Sequence, residues 1–252
     1  MSKIYKHFKD KQIITLAEVK KQFPEMNHRV AVKYLLKTGY LELVKKGVYL
    51  NKAFQSPDKF ILATKTVSGG IVGYHSALEL HGLAQSAYNI VHIITDKPYN
   101  AKPFTAYEIN YLPVKQDTSF GKTKVIRGSE EVIVTDIERT LIDCIDKLKY
   151  AGGFEEYFKS ISSESYINEK KIIKYLKKYD KVALYHKVGF VLEYFKNKWH
   201  ITDYTLKSLL SGVSLLSTVY LDPNNKKTKK EIKHNPKWNL YAPKNFEALI
   251  SS

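Results

Sequence analysis

Residues 15–50 read TLAEVKKQFPEMNHRVAVKYLLKTGYLELVKKGVYL, and the N-terminal fold follows from how this stretch is parsed. Thr15 and Glu18 form a T-x-x-E capping box, in which each side chain satisfies an orphan N–H at a helix start. Leu16 and Val19 give that helix an apolar edge. Phe23-Pro24 ends it, because proline brings no N–H and clashes with the preceding turn. Asn27 suits the N-cap of the next helix. There Val30, Ala31, Tyr34 and Leu35 recur at i, i+1, i+4 and i+5, which predicts one buried face. Gly39 stands where a glycine closes a helix. Tyr40–Val44 and Gly47–Leu50 alternate like short strands on either side of a two-lysine tip, Lys45-Lys46. The expectation is a winged helix-turn-helix over residues 1–56, with a first helix over residues 1–10 adding Ile4, Tyr5 and Phe8.

The face opposite the expected core shows His28, Arg29, Lys33 and Lys37. A recognition helix turns its N-terminal residues to base edges while flanking charges hold phosphates. Arg29 matches the acceptors of guanine, and the Asn27 amide matches adenine. Candidate DNA-binding residues are therefore Asn27, His28 and Arg29 for bases, with Lys33, Lys37, Lys45 and Lys46 for backbone. The competing reading is a small helical domain whose solvated lysine face meets a protein.

Charge favours the nucleic acid. The 252 residues carry a formal net charge of +16, which argues for a polyanionic partner. Residues 1–56 hold 12 Lys and Arg against 4 Asp and Glu, whereas residues 57–220 hold 22 against 18, so the excess is concentrated at the proposed DNA-binding end. A second excess lies at residues 221–238, with 6 against 2. The single cysteine, Cys144, excludes an internal disulfide framework and a cysteine-rich zinc site. With no signal-like segment and no apolar run long enough to span a bilayer, a cytoplasmic protein is expected.

Beyond the wing, Ser56-Pro57 marks the expected boundary of a larger mixed α+β domain at 60–252. Phe60–Val67 reads as a helix ended by Ser68-Gly69-Gly70, and Ser76–His81 as another closed by Gly82. Residues 88–95, 106–113, 122–127 and 131–134 read as strands. Thr135 and Glu138 form a second capping box, opening a helix whose buried stripe is Ile137, Leu141, Cys144, Ile145 and Leu148. Asp136, Glu138, Arg139, Asp143 and Asp146 line its other side, with Arg139 and Asp143 an i, i+4 pair. Helices are expected at 153–160, 168–179, 181–198 and 203–210, then a strand at 214–221. Residues 222–236 read as a lysine-rich loop, ordinarily solvated, alternatively a second nucleic-acid contact or a surface for an acidic protein. Lys237–Tyr241 returns as a strand.

Catalytic constellations do not converge. His75, Glu79 and His81 invite a metal, but His81 lies about 160° round the helix from Glu79. Gly128-Ser129 with Asp136-x-Glu138 resembles a nucleotidyltransferase GS…D-x-D/E pattern, yet too few residues intervene and the carboxylates open a helix. The E-x-K of Glu18-Val19-Lys20 lies on the first helix-turn-helix helix rather than on a nuclease strand. No Gly-rich phosphate loop or G-x-S-x-G elbow is present. No catalytic residue, metal or cofactor is expected, and a nucleic-acid-modifying enzyme is the remote alternative.

Three segments together resemble the AbiEi family, the antitoxins of AbiE abortive-infection systems. They are KKGVYL at Lys45–Leu50, GYHSALELHGL at Gly73–Leu83 and VTDIERTLIDC at Val134–Cys144. Two positions depart from the usual pattern: Ile137 stands where relatives often have proline, and Lys45 where arginine is frequent. The resemblance implies a winged helix-turn-helix that binds inverted repeats in its own promoter and represses the operon. It also implies a larger antitoxin domain that counters a cognate AbiEii nucleotidyltransferase toxin without a stable complex, as in type IV toxin–antitoxin phage defence.

Overall fold

Ile4 and Phe8 share one face at helical spacing. In the computed structural model, which describes residues 3–97, 102–226, 231–244 and 246–251, both are buried on a helix at Lys3–Phe8 (α1). A strand at Ile13–Thr15 (β1) runs straight into a helix at Leu16–Gln22 (α2). The predicted capping box forms there: Glu18 N–H donates to Thr15 Oγ1 at 3.1 Å, and Thr15 N–H donates to Glu18 Oε2 at 2.9 Å. A helix at His28–Lys37 (α3) follows, capped by Asn27, with Gly39 beyond it at φ +75°. Strands Leu41–Lys45 (β2) and Val48–Asn51 (β3) complete an antiparallel sheet in the order β1-β3-β2. Ile4, Phe8, Ile14, Val19, Val32, Leu35, Leu41 and Tyr49 form one core beneath these elements.

The chain forms two compact units, Met1–Val72 with Tyr88–Val134, and Gly73–Ala87 with Thr135–Ser252. The first 56 residues therefore share a unit with the central sheet, whereas the sequence suggested a boundary near residue 57. Polar bonds explain the sharing. Gln12 N–H donates to Glu130 Oε1 at 3.1 Å, and Gln12 Oε1 accepts from Asp58 N–H at 2.7 Å. Asn51, fully buried, donates to the carbonyls of Lys9 and Lys11. Arg127 pairs with Asp58, whose carboxylate also caps the next helix, Lys59–Thr66 (α4).

The sheet of this unit has six strands: Ile71–Val72 (β4), Ile90–Thr95 (β5), Phe104–Ala106 (β6), Ile109–Lys115 (β7), Lys122–Arg127 (β8) and Glu130–Thr135 (β9). Their order is β6-β7-β5-β4-β9-β8, with β5 parallel to β7, and β4 antiparallel to β5. The expected strand at 106–113 is in fact a hairpin. Tyr107 and Glu108 take φ of +49° and +61°, the left-handed pair a two-residue hairpin turn requires. Side-chain alternation did not reveal it because neither turn residue is glycine.

The second unit is mainly helical: His75–Leu80 (α5), Ile137–Asp146 (α6), Phe154–Ser162 (α7), Glu169–Tyr179 (α8), Val182–Tyr194 (α9), Lys196–Trp199 (α10), Asp203–Leu210 (α11) and Phe246–Ser251 (α12). The α6 cap lies one residue later than predicted, on Asp136, whose carboxylate accepts from Arg139 N–H at 3.0 Å. Thr135 instead bonds the Thr140 hydroxyl. The helix expected over 181–198 breaks at Phe195 into α9 and α10. A late sheet comprises Val219–Tyr220 (β10), Ile232–Asn235 (β11) and Leu240–Pro243 (β12), in the order β10-β12-β11. The strand expected at 214–221 thus shrinks to two residues, leaving Leu215 and Leu216 exposed in a loop. The expected lysine-rich loop holds a 3-10 turn and β11, and its residues 227–230 lie outside the described residues. The protein is a mixed α+β fold, and among the described residues no helix is long and apolar enough to cross a membrane.

Candidate nucleic-acid interface

The expected recognition helix, α3, is fixed at its start by two side chains. Asn27 Oδ1 accepts from Val30 N–H at 3.3 Å, satisfying one of the first-turn donors. The half-buried His28 reaches back across the interhelical turn, where its Nε2 donates to the Phe23 carbonyl at 2.7 Å. Two of the three expected base readers are therefore occupied in holding the helix. Arg29, by contrast, is exposed, as are Lys33 and Lys37.

The buried face is turned relative to the sequence expectation. Val32 and Leu35 are in the core with Ala31 and Leu36 packed against it, while Val30 and Tyr34 are 63% and 55% exposed. Arg29, Lys33 and Lys37 form one stripe at i, i+4 and i+8, and Val30 with Tyr34 forms an apolar stripe beside it. The charges held the missed signal. At about 100° per residue Val30 lies only about 20° from Lys37, so it cannot be buried while Lys37 is solvated. Counting apolar spacing alone allowed either phase.

The wing is short. Its tip, Lys46-Gly47, is bonded to the start of α2, where Leu16 N–H donates to the Gly47 carbonyl at 2.8 Å. Lys46 is exposed. Lys45 is half-buried, with Nζ 4.5 Å from the centre of the Phe104 ring, and burial pushes its pKa below the ordinary lysine value. One lysine of the expected pair is thus drawn against β6. On β2, Glu42 accepts from the Tyr107 hydroxyl at 3.0 Å. Burial first, and that carboxylate second, push the phenol up to about 12.

Beneath α2 lies an ion-pair network. Lys65 bonds Glu18 and reaches Glu130 at 3.2 Å, and Lys11 stands 3.4 Å from Glu18. Burial alone would raise the Glu18 pKa. The Lys65 ammonium and the Thr15 N–H outweigh it and hold the carboxyl below its ordinary value. Glu18 therefore closes the capping box and also ties α2 to α4.

The two distal family-like segments serve the second unit's interior. His75 Nε2 lies 3.1 Å from Glu156, whose carboxylate also accepts from Ser86 Oγ and Gln85 N–H. His81 Nε2 donates to the Thr135 carbonyl at 2.7 Å. Arg139, 0% exposed, pairs with Asp143 at 3.3 Å, and Tyr179 donates to that carboxylate. Asp136 and Glu138 both accept from Lys171, and Tyr175 donates to Asp136 at 2.7 Å. Cys144 is wholly buried, and burial pushes its thiol well up, which suits a core residue and not a nucleophile. This side of α6 is as enclosed as its apolar stripe.

No protein-family model matches the chain, and no curated protein matches it. Among solved structures, the fold is similar to the crystal structure of the RV2827C protein from Mycobacterium tuberculosis. The TM-score is 0.63 and the identity 11%, over 99% of this chain and 94% of that one. The likeness speaks for the α+β fold across nearly the whole of both chains.

Proposed function

We propose that residues 3–51 are a winged helix-turn-helix that binds double-stranded DNA through α3, and that the whole chain is an AbiEi-type antitoxin and autorepressor. One observation carries the DNA reading. α3 turns Arg29, Lys33 and Lys37 to solvent as a single stripe, on a helix with no acidic residue and a side-chain cap at its N-terminus. Cations so aligned suit a row of phosphates, and the local charge excess suits a polyanion. Arg29 is the guanine reader, Lys33, Lys37 and Lys46 hold phosphates, and Asn27 with His28 fixes the helix start. Lys45, set over Phe104, contributes less to DNA than the expected two-lysine wing implied.

The site in the operon is the inverted repeat of its own promoter, each half-site meeting one copy of α3. The cytoplasmic remainder of the chain counters a nucleotidyltransferase toxin without a stable complex and without catalysis, metal or cofactor of its own. The segments Gly73–Leu83 and Val134–Cys144 support this half of the reading by their resemblance to the antitoxins. The test is a gel-shift titration of the full chain with its own upstream DNA against a scrambled duplex, beside growth rescue on co-expression with the neighbouring toxin. Preference for the upstream duplex is expected. Equal affinity for both duplexes would favour a protein adaptor, and failure of rescue would remove the antitoxin role.

A further inference from the structure

Val30 and Tyr34 are an unusual use of a solvent-facing helix surface. Each exposes more than half its area, they lie one turn apart, and their stripe borders that of Arg29, Lys33 and Lys37. A β-branched valine also lowers helix propensity slightly, so nothing local favours it at the first turn. Single exposed apolar residues need no explanation; a pair set beside three cations on one helix does. The cations select a polyanion, and the major groove of a polyanionic duplex offers one apolar base-edge group, the C5-methyl of thymine. Val30, in the first turn of α3, lies where a recognition helix approaches base edges most closely.

Resting on the DNA reading above, we infer that Val30 reads a thymine methyl in each half-site, with the Tyr34 ring walling the methyl from the next turn while Lys33 and Lys37 grip the adjacent phosphates. The contact is apolar and short-ranged. It adds specificity without adding to the salt dependence, which belongs to the cations. Arg29 would specify a guanine on the neighbouring step, so the half-site should contain a thymine beside a G·C pair.

Uracil substitution isolates the methyl, since it removes that group and leaves pairing and charge intact. Thymines of the footprinted upstream duplex are replaced by uracil one at a time, and affinities of the wild-type chain and of Val30→Ala are compared. Losing one buried methyl contact, about 0.8 kcal/mol, corresponds to about a fourfold loss of affinity. The wild type should show that loss at one symmetric pair of thymines and little elsewhere. Val30→Ala, which removes the contact from both half-sites, should bind the natural duplex about fifteenfold more weakly, keep the wild-type salt slope, and be indifferent to uracil at that pair. Wild type that prefers its operator but tolerates uracil at every thymine overturns the inference and leaves the DNA reading standing. An equal uracil loss in Val30→Ala assigns the methyl to another residue and also overturns it. No preference between operator and scrambled duplex removes the DNA reading itself, and an exposed Val30–Tyr34 stripe would then belong to a protein partner.

Discussion

Arg29, Lys45 and Lys46 are neighbours in charge but not in environment, and their substitutions should separate. Arg29 is exposed at the start of α3, whereas Lys45 is held over Phe104 and Lys46 stands in the turn between β2 and β3. Arg29→Ala should cost about 1–3 kcal/mol on the operator and relax discrimination at one base position, seen as a flattened affinity profile across single-base variants. Lys46→Gln should weaken all duplexes alike and reduce the slope of log K against log salt by about 1.8, one phosphate's share for each of the two copies on the operator. Lys45→Gln should change that slope by clearly less. A Lys45 effect as large as that of Lys46 would mean the lysine leaves Phe104 on binding DNA. The residue types of this surface were legible in the sequence, but which lysine the fold withdraws was not. Phe104 is more than fifty positions away from Lys45, and no local spacing reports such a contact.

At the scale of elements, caps and close approaches carry testable weight. Asn27 is the N-cap of α3 and its side chain accepts from Val30 N–H, so Asn27→Ala should destabilise the N-terminal unit by about 1 kcal/mol, and Asn27→Gly by only a few tenths. Both should leave the base preference unchanged; a switch in preferred base would restore Asn27 as a base reader. In the second unit, a Cβ on Gly189 would stand 2.0 Å from the Trp238 ring, because α9 meets Trp238 at that glycine. Both groups are buried, so Gly189→Ala should cost about 1–3 kcal/mol or more through overpacking, measured as a lowered urea midpoint. Local signals announced most elements, since the capping box of α2, the Asn27 cap and the glycines after α3 and α5 all sit where the sequence put them. They failed where tertiary contact overrides local pattern. The left-handed Tyr107-Glu108 turn has no glycine to mark it, and the charged side of α6 is sealed by Lys171, Tyr175 and Tyr179 from α8.

For the whole molecule, each unit carries a carboxylate whose pKa the fold depresses, and this sets how the protein meets acid. In the N-terminal unit Glu18 is pushed up by burial but pulled down further by Lys65 and the Thr15 N–H. In the second unit Glu156 is likewise raised by burial and brought below the ordinary value of 4.5 by Ser86, the Gln85 N–H and His75. A carboxyl with a folded pKa below its unfolded one binds its proton more readily in the unfolded chain. The stability it contributes is therefore fully present above the unfolded value and is lost as pH falls through the folded one. Thermal midpoints should be flat near neutrality and fall as pH drops below about 4.5. Glu18→Gln and Glu156→Gln should each lower the midpoint at pH 7 and make the acid decline shallower. Because the two groups lie in separate units and share no partner, the effects should add in the double variant. Strong non-additivity would show that the two carboxylates do not act independently. A midpoint that rose on acidification would mean that the folded chain binds protons more readily than the unfolded one, which would undo the assignment of Glu18 as a carboxylate held in its charged form between α2 and α4.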